Sequence, residues 1–247
     1  MRRRFFVERF DSHSAALHGE TAEHLGRVLR AEPGQLYELS DGHRVWLGRI
    51  ERVAFAKHAG SRIDFTLVEP IAAREPSLQI DLLLSLVKFD RFEWCLEKAT
   101  ELGAREIVPL AAARTDKPLI AAASKRRARW EKILLESAQQ SRRLRPPSIC
   151  EPVSPEQAFA RCSAAAKIVL SERPGAPSMH EALRGVAPGA GPNVAALATG
   201  PEGGWTDAEI AAAKAAGFTE ASLGENVLRT ETAVLASMAI LRFALGE

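Results

Sequence analysis

The spacing of apolar and polar positions changes near residue 77. Before it, short runs rich in β-branched and aromatic residues lie between turn signals, a pattern typical of strands. These predicted strands cover residues 5–7, 36–40, 45–53 and 62–68. Asp41-Gly42 lies between two of the runs and predicts a hairpin, while apolar positions at helical spacing predict one helix over 21–30. We therefore expect a small, mostly β module at the N-terminus.

After an aperiodic stretch at 71–77, which we interpret as a linker, apolar runs alternate with helical patterns. This alternation predicts an α/β domain with a parallel sheet. The predicted strands are 80–87, 106–110, 167–170, 194–198 and 221–223. The predicted helices are 91–102, 124–143, 155–162, 179–184, 207–216 and 231–245. Ser154, Ser178 and Thr206 each precede Glu or Gln by three residues, so we expect capping boxes at three of these helix starts.

Length and composition narrow the class of protein. The 247 residues, 46% of them apolar, are enough for one large or two small domains. No run approaches the roughly 20 apolar residues of a membrane span, and the first residues are charged rather than signal-like, so we expect a soluble cytoplasmic protein. The three cysteines and six histidines show no ligand spacing, and we predict neither a disulfide framework nor a metal site.

Charge is concentrated in one predicted helix and the residues after it. Residues 125–145 carry eight Lys or Arg against only Glu131 and Glu136, although the net charge of the chain is +2. Such an excess predicts contact with RNA phosphates. The alternative is an ordinary solvated face, opposite a buried stripe of Trp130, Ile133, Leu134 and Ala138. We assign Phe89, Phe92 and Trp94 to the core rather than to base stacking.

Two segments near the C-terminus carry the candidate chemistry: Thr199-Gly-Pro-Glu-Gly-Gly204 and Leu223-Gly-Glu-Asn-Val-Leu-Arg-Thr-Glu-Thr-Ala233. Each lies between a predicted strand and a predicted helix, so their backbone N–H groups are expected to converge on one small ligand. Ordinary turns are the alternative. Arg229 stands where its charge opposes the helix dipole, which favours a functional role over a surface pair with Glu225 or Glu231. The P-loop and G-x-G-x-x-G nucleotide motifs are absent from the sequence.

These two segments, together with motifs upstream, make the chain resemble the ribosomal RNA small subunit methyltransferase E family. Members of that family are SPOUT-type enzymes. The resemblance rests on His24-Leu25 with Val28-Leu29-Arg30, Lys98-Ala-Thr-Glu-Leu-Gly103 with Pro109, Gln140-Ser141 with Arg143, the first C-terminal segment, and Leu223-Gly224 with Leu228-Arg-Thr-Glu-Thr-Ala233. It implies a PUA-like β-barrel RNA-binding domain over 1–72, and an α/β methyltransferase domain with a C-terminal trefoil knot over 77–247. It also implies a homodimer. The chain departs from the family pattern at two positions: Gln139 stands where the family commonly has Glu, and Asn226 stands where it commonly has Arg. We therefore assign no indispensable catalytic charge to either position.

The resemblance further implies S-adenosylmethionine as methyl donor and N3 of one uridine in 16S ribosomal RNA, within the assembled small subunit, as acceptor. Arg229 is the expected catalytic residue, with Glu202 as a second candidate. The expected cofactor-binding residues are Leu170, Ser171, Glu172, Thr199, Gly200, Pro201, Glu202, Gly203, Gly204, Leu223, Gly224, Asn226, Val227, Leu228, Thr230, Thr232 and Ala233. The expected RNA-binding residues are Arg2, Arg3, Arg4, His24, Arg30, Gln140, Arg142 and Arg143.

Two other classes of protein remain open from the sequence. A non-catalytic RNA-binding ribosome-assembly factor would use the N-terminal module and the basic segment alone. A pseudouridine synthase with a PUA-like domain would need a nucleophilic aspartate, for which Asp81, Asp90 and Asp116 are the candidates, although none has a supporting motif.

Overall fold

Backbone contacts divide the chain into two units in the computed structural model, which describes residues 3–56, 60–73, 75–184 and 194–246. The first unit consists of Met1–Glu75 together with Ala138–Pro146. The second consists of Pro76–Ser137 and Pro147–Glu247. The first unit is therefore built from two separate stretches of sequence.

The first unit is an open five-stranded sheet. Its strands are β1 (Arg4–Phe6), β2 (Ser14–His18), β3 (Leu36–Ser40), β4 (Val45–Ala56) and β5 (Gly60–Ile71), in the order β1-β3-β4-β5-β2. Only the β1–β3 pair is parallel among these pairings. Helix α1 (Gly19–Glu23) continues into a π-helical turn at His24–Val28. Phe5, Leu17, Leu25, Ile63 and Phe65 form the centre of its core.

The predicted hairpin at Asp41-Gly42 is confirmed. Gly42 has a φ of +87°, which a residue with a side chain rarely adopts, and the Asp41 carboxylate accepts hydrogen bonds from the amides of His43 and Arg44. Strand β2 is not among the predicted elements. Its Ala15 and Leu17 alternate with exposed positions, but alanine has low β-propensity and hides the pattern.

The second unit is a six-stranded parallel sheet with helices on both faces. Its strands are β6 (Gln79–Ser85), β7 (Ala104–Leu110), β8 (Ser148–Ile149), β9 (Ala166–Leu170), β10 (Val194–Thr199) and β11 (Thr219–Ala221), in the order β11-β9-β10-β6-β7-β8. Its helices are α2 (Phe89–Glu101), α3 (Lys117–Ala123), α4 (Arg127–Gln140), α5 (Pro155–Arg161), α6 (Met179–Leu183), α7 (Asp207–Ala215) and α8 (Thr230–Leu245). None of the described helices is long and apolar enough to cross a membrane.

Alternate residues of the central strands enter two separate cores, as a sheet covered on both faces requires. Leu82 and Leu84 of β6 belong to one apolar cluster, while Leu83 belongs to the other.

All three predicted capping boxes are confirmed, at the starts of α5, α6 and α7. Phe92 is buried as expected, but the assignment of Trp94 to the core is wrong, since its side chain is 40% exposed.

Several predicted boundaries differ from the structure, and two of these differences have an identifiable cause. Strand β11 ends at Ala221 instead of Leu223, because its partner β9 ends at the paired residue Leu170. Helix α4 ends at Gln140 instead of Arg143, and Arg142 takes a φ of +55°, which stops the helix.

Buried polar contacts hold the 138–146 segment within the first unit. The Arg4 guanidinium donates to the Glu38 carboxylate at 3.1 and 2.9 Å and to the carbonyl oxygen of Arg142 at 2.6 Å. The Ser40 hydroxyl donates to the carbonyl oxygen of Leu144 at 2.6 Å. Arg4 and Glu38 therefore form a structural pair, with side chains only 10% and 9% exposed.

Candidate functional site

Three loops meet at the carboxyl edge of the parallel sheet. Loop 1 (residues 170–174) starts at the last residue of β9, loop 2 (199–205) at the last residue of β10, and loop 3 (221–230) at the last residue of β11. These strands are neighbours in the order β11-β9-β10, so their carboxyl ends lie side by side. The loops surround a cavity of about 580 Å³, a size typical of small-molecule sites.

Sixteen of the seventeen residues predicted to bind the cofactor line this cavity, and Thr232 does not. Thr232 is exposed on α8. That the other sixteen bind the cofactor stays a prediction. The cavity is also lined by residues that the sequence interpretation missed: Arg91, Arg114, Arg173, Pro174, Trp205, Ala221 and Ser222. Arg91 and Arg114 are far upstream in the chain, and no local motif marks them.

Loop 2 is a tight turn tied to loop 1. The amide of Gly204 donates to the carbonyl oxygen of Pro201 at 2.8 Å, and Gly204 has a φ of +68°. The Trp205 indole donates to the carbonyl oxygen of Leu170 at 2.8 Å. A Cβ on Gly200 would lie only 3.1 Å from that indole, so the bare backbone permits this packing.

The helix after loop 2 adds a second anchor. The buried Glu209 carboxylate closes the α7 capping box with Thr206 and also accepts from the amide of Ala113 at 2.8 Å. The next residue, Arg114, donates to the carbonyl oxygen of Gly203 at 2.8 Å. Loop 2 is thus held from both sides.

Loop 3 begins where β11 loses its partner strand. The amide of Ser222 donates to the carbonyl oxygen of Pro177 at 2.7 Å, and the Ser222 carbonyl oxygen accepts from Met179 at 2.9 Å. Gly224, at a φ of +125°, then turns the chain toward α8. Arg229 is the N-cap residue of α8 in an extended conformation, and its side chain makes no capping hydrogen bond.

Four arginines line the cavity, and three have partners. Arg91 pairs with Glu202, Arg114 bonds Gly203, and Arg173 donates to Asp207 at 2.7 Å. Within the described ranges, the exposed Arg229 forms no hydrogen bond or ion pair through its guanidinium, and neither Glu225 nor Glu231 pairs with it. Arg229 is therefore free to contact a ligand.

Arg91 also connects the two candidate segments. Its guanidinium contacts Glu202 of loop 2, and its Nε lies 4.0 Å from Oε1 of Glu231 in the first turn of α8.

Burial, with a smaller contribution from the Glu231 charge, raises the pKa of Cys95 to about 12. The Cys95 thiol therefore stays protonated and is not a nucleophile here.

The cavity wall contains an unsatisfied polar atom. Thr199 at the end of β10 is buried, and its Oγ1 has no hydrogen-bond partner among the described residues. Buried polar atoms are nearly always satisfied, so the hydroxyl is a candidate partner for a polar group of a ligand. Exposed backbone at the glycines of loop 2 supplies further hydrogen-bonding groups beside it.

The candidate RNA-binding residues have different environments. Arg2 lies outside the described residues. Arg3, Arg30 and Gln140 are exposed, and His24 and Arg143 are half-buried. Arg4 is buried against Glu38, so the structure gives it a role in folding instead of RNA contact. Arg142 is exposed but lies 3.4 Å from Glu38.

The charge of the basic segment is largely compensated by acids from elsewhere in the sequence. Arg126 and Arg129 both pair with Glu93. Arg127 pairs with Glu131 and Glu151, and Arg145 pairs with Glu75. The local count of eight cations against two acids therefore overstates the charge available to phosphates. Of the predicted buried stripe, Trp130, Leu134 and Ala138 are buried and Ile133 is partly buried.

The aspartates that a pseudouridine synthase would need are placed elsewhere. Asp81 is held by two hydrogen bonds from Arg105, at 2.8 and 2.6 Å. Asp90 and Asp116 are exposed at the starts of α2 and α3. None of the three lines the cavity. The described residues also contain no cluster of His, Cys, Asp and Glu suited to a metal ion.

Known proteins resemble this chain over nearly its full length. A family model described as an RNA methyltransferase domain matches residues 74–242. The ribosomal RNA small subunit methyltransferase E of Synechocystis is 33% identical over 87% of this chain and 68% of its own length. That of Bacillus subtilis is 33% identical over 69% of this chain and 68% of its own length. The crystal structure of the Neisseria gonorrhoeae protein of the same name, bound to S-adenosyl methionine, superposes with a TM-score of 0.84 at 29% identity and covers 100% of this chain and 99% of that one.

Proposed function

The chain belongs to the ribosomal RNA small subunit methyltransferase E family, and from that premise we propose that it methylates N3 of one uridine in 16S ribosomal RNA of the assembled small subunit. S-adenosylmethionine is the methyl donor. The observation that carries this proposal is the cavity where three strand-end loops meet, with the unpaired Arg229 on its wall.

The residues present fit the cofactor. The cavity volume of about 580 Å³ suits a nucleoside with an amino-acid tail, and the unpartnered Thr199 hydroxyl suits its polar groups. Backbone groups of loops 1, 2 and 3 would hold it, through the predicted cofactor-binding residues other than Thr232. When bound, S-adenosylmethionine supplies a methyl group activated by a sulfonium centre.

Arg229 is the proposed catalytic residue. Uracil N3 carries a proton, which would pass to solvent water before the N3 lone pair attacks the methyl carbon; the N–C bond would form as the donor's S–CH3 bond breaks and the sulfur keeps its electron pair. The Arg229 guanidinium would hydrogen-bond a uracil carbonyl oxygen and stabilise the negative charge that develops there. Glu202 is the second catalytic candidate, and its pairing with Arg91 favours substrate positioning over proton acceptance.

The finer features of the fold complete the proposal. We take residues 1–72 as a PUA-like RNA-binding domain, and residues 77–247 as a SPOUT domain with a C-terminal trefoil knot. The five-stranded, mostly antiparallel sheet supports the first, but among the described residues this sheet is open and does not close into the expected barrel. The strand order β11-β9-β10-β6 supports the second. Arg3, His24, Arg30, Gln140, Arg142 and Arg143 remain the proposed RNA contacts, as does Arg2, which lies outside the described residues. A ribosomal substrate agrees with the expected cytoplasmic location.

The decisive experiment compares ribosomal RNA from cells with and without this protein. We expect mass spectrometry to find one N3-methyluridine in the 16S RNA of normal cells and its complete loss in the deletion strain. Restoring the wild-type gene should restore the modification. An unchanged modification pattern would refute the activity. If the purified protein also failed to bind S-adenosylmethionine in calorimetry, a non-catalytic assembly factor would be favoured.

We also propose that the protein is a homodimer whose interface includes an apolar stripe on α8. The stripe consists of Leu235, Ala239, Ile240 and Phe243, which are exposed and spaced along one side of the helix. Phe243 is 87% exposed, and Val227 in loop 3 is 78% exposed. Exposed apolar stripes of this kind are common at interfaces, and pairing with a second copy is the usual arrangement for homodimers.

Phe243→Glu is expected to convert the dimer to a monomer, because two charges would enter an apolar interface. Light scattering coupled to size-exclusion chromatography measures the mass. The matched control is Val68→Glu, which changes an exposed valine of β5 in the first unit and should leave the mass unchanged. A monomeric wild-type protein would contradict the dimer proposal.

A further inference from the structure

We propose that Arg91 is a positioning residue for methyl transfer, which holds loop 2 and the first turn of α8 in one arrangement through Glu202 and Glu231. The inference rests on the proposed function of the cavity. Arg91 lies in the first turn of α2, about 110 residues before Glu202 in the sequence, and lines the same cavity. It belongs to neither of the segments that carry the candidate chemistry.

The geometry joins three elements through one side chain. Arg91 Nη1 donates to Oε1 of Glu202, which is exposed at the tip of loop 2. Arg91 Nε lies 4.0 Å from Oε1 of Glu231. Because guanidinium groups are planar and carry several donors, one arginine is able to serve two carboxylates from different directions.

Arg91 compensates the negative charge of the Glu231 carboxylate. Its side chain is 19% exposed, and its Oε2 is buried with no hydrogen-bond partner in the described part of the chain. Arg91 is the cation that pairs with it there. A half-buried carboxylate with one buried, unpartnered oxygen is less stable without a compensating charge, so the first turn of α8 is expected to move if Arg91 is removed.

The first turn of α8 also determines the position of Arg229. Arg229 is the N-cap residue of α8, two positions before Glu231, and its carbonyl oxygen accepts from the amide of Ala233 at 2.9 Å. Holding Glu231 therefore fixes the backbone from which the Arg229 side chain projects. Arg91 acts through Glu231 on the proposed catalytic group and through Glu202 on the loop beside it. Small displacements of a catalytic group cost up to a hundredfold in rate, so this position matters for turnover.

The test combines hydrogen exchange with kinetics on the full-length protein. In Arg91→Ala we expect faster amide exchange both in residues 200–204 and in residues 229–233. We expect kcat to fall tenfold or more, while the Kd for S-adenosylmethionine changes less than threefold. Arg91→Lys should recover part of the kcat, since it keeps the charge but loses the planar fork. With Glu202→Gln and Glu231→Gln already present, adding Arg91→Ala should change kcat less than twofold.

Lys98→Ala is the matched control. Lys98 also bridges two carboxylates on α2, Glu97 at 2.7 Å and Glu101 at 2.8 Å, but it does not line the cavity. It should alter neither kcat nor exchange in the two segments. If Arg91→Ala fails to fold, Arg91→Gln replaces it.

The proposal is overturned if exchange in either segment is unchanged, or if kcat stays within twofold of the wild type. If the wild-type protein itself shows no turnover, the proposed function fails, and the exchange measurement alone still decides the role of Arg91.

Discussion

Arg229→Ala is expected to lower methyl-transfer turnover by a hundredfold or more while S-adenosylmethionine binding persists. Removing one donor that stabilises charge in the transition state costs about 10²–10³ in kcat in well-studied enzymes. Arg229 has no other partner in the described part of the chain, so its loss breaks no structural contact. Single-turnover methylation of small subunits measures the rate, and calorimetry measures cofactor binding.

Arg173→Ala is the matched control for this experiment. Arg173 is another exposed arginine on the cavity wall, but its guanidinium is engaged by Asp207 at 2.7 Å. We expect it to reduce turnover far less than Arg229→Ala. Retained turnover in Arg229→Ala would remove Arg229 from the mechanism, and lost cofactor binding would assign it to the cofactor site instead.

Glu38→Gln is expected to lower the free energy of unfolding by about 3–5 kcal/mol. Breaking one side of a buried ion pair leaves the remaining charge without compensation, and costs of this size are typical. Here the side chain left behind is Arg4, which is nearly as buried as Glu38. Arg142, 3.4 Å from Glu38, loses a partner as well. Urea unfolding followed by circular dichroism measures the change.

Asp64→Asn provides the comparison within the same unit. Asp64 pairs with Arg62 at 2.6 Å, but that arginine is half exposed. Exposed pairs contribute about 0–1 kcal/mol, so Asp64→Asn should lower stability by no more than that. Equal effects of the two substitutions would show that burial of the Arg4–Glu38 pair is not what stabilises the sheet.

The sequence predicts the features that depend on neighbours along the chain. The switch from mostly strand patterns to alternating strand and helix patterns indicates the α/β unit correctly, because periodicity reports which face of an element is buried. The capping boxes at Ser154, Ser178 and Thr206 are local for the same reason. Loops 2 and 3 were expected to converge because carboxyl ends of parallel strands share one edge.

The features that the sequence does not predict depend on contacts between residues that are distant along the chain. Arg91 and Arg114 reach loop 2 from positions about 110 and 90 residues upstream, and no spacing rule connects them. Glu93 compensates Arg126 and Arg129 from another helix, so local charge counting overestimates the basic surface. The end of β11 is set by the length of β9, which its own residues do not encode.

The contacts of the 138–146 segment have a consequence for dissecting this protein. A fragment ending at residue 75 would contain Arg4 and Ser40 but lack the carbonyl oxygens of Arg142 and Leu144 that they bind. Nη1 of Arg4 and the Ser40 hydroxyl would then lose the acceptors that join them to the 138–146 segment. Cutting at the obvious linker therefore removes part of the first module, and a soluble N-terminal piece would require the later segment to be supplied in the same polypeptide or as a second peptide. An insertion or circular permutation must therefore leave residues 1–75 and 138–146 able to pack together in the first unit.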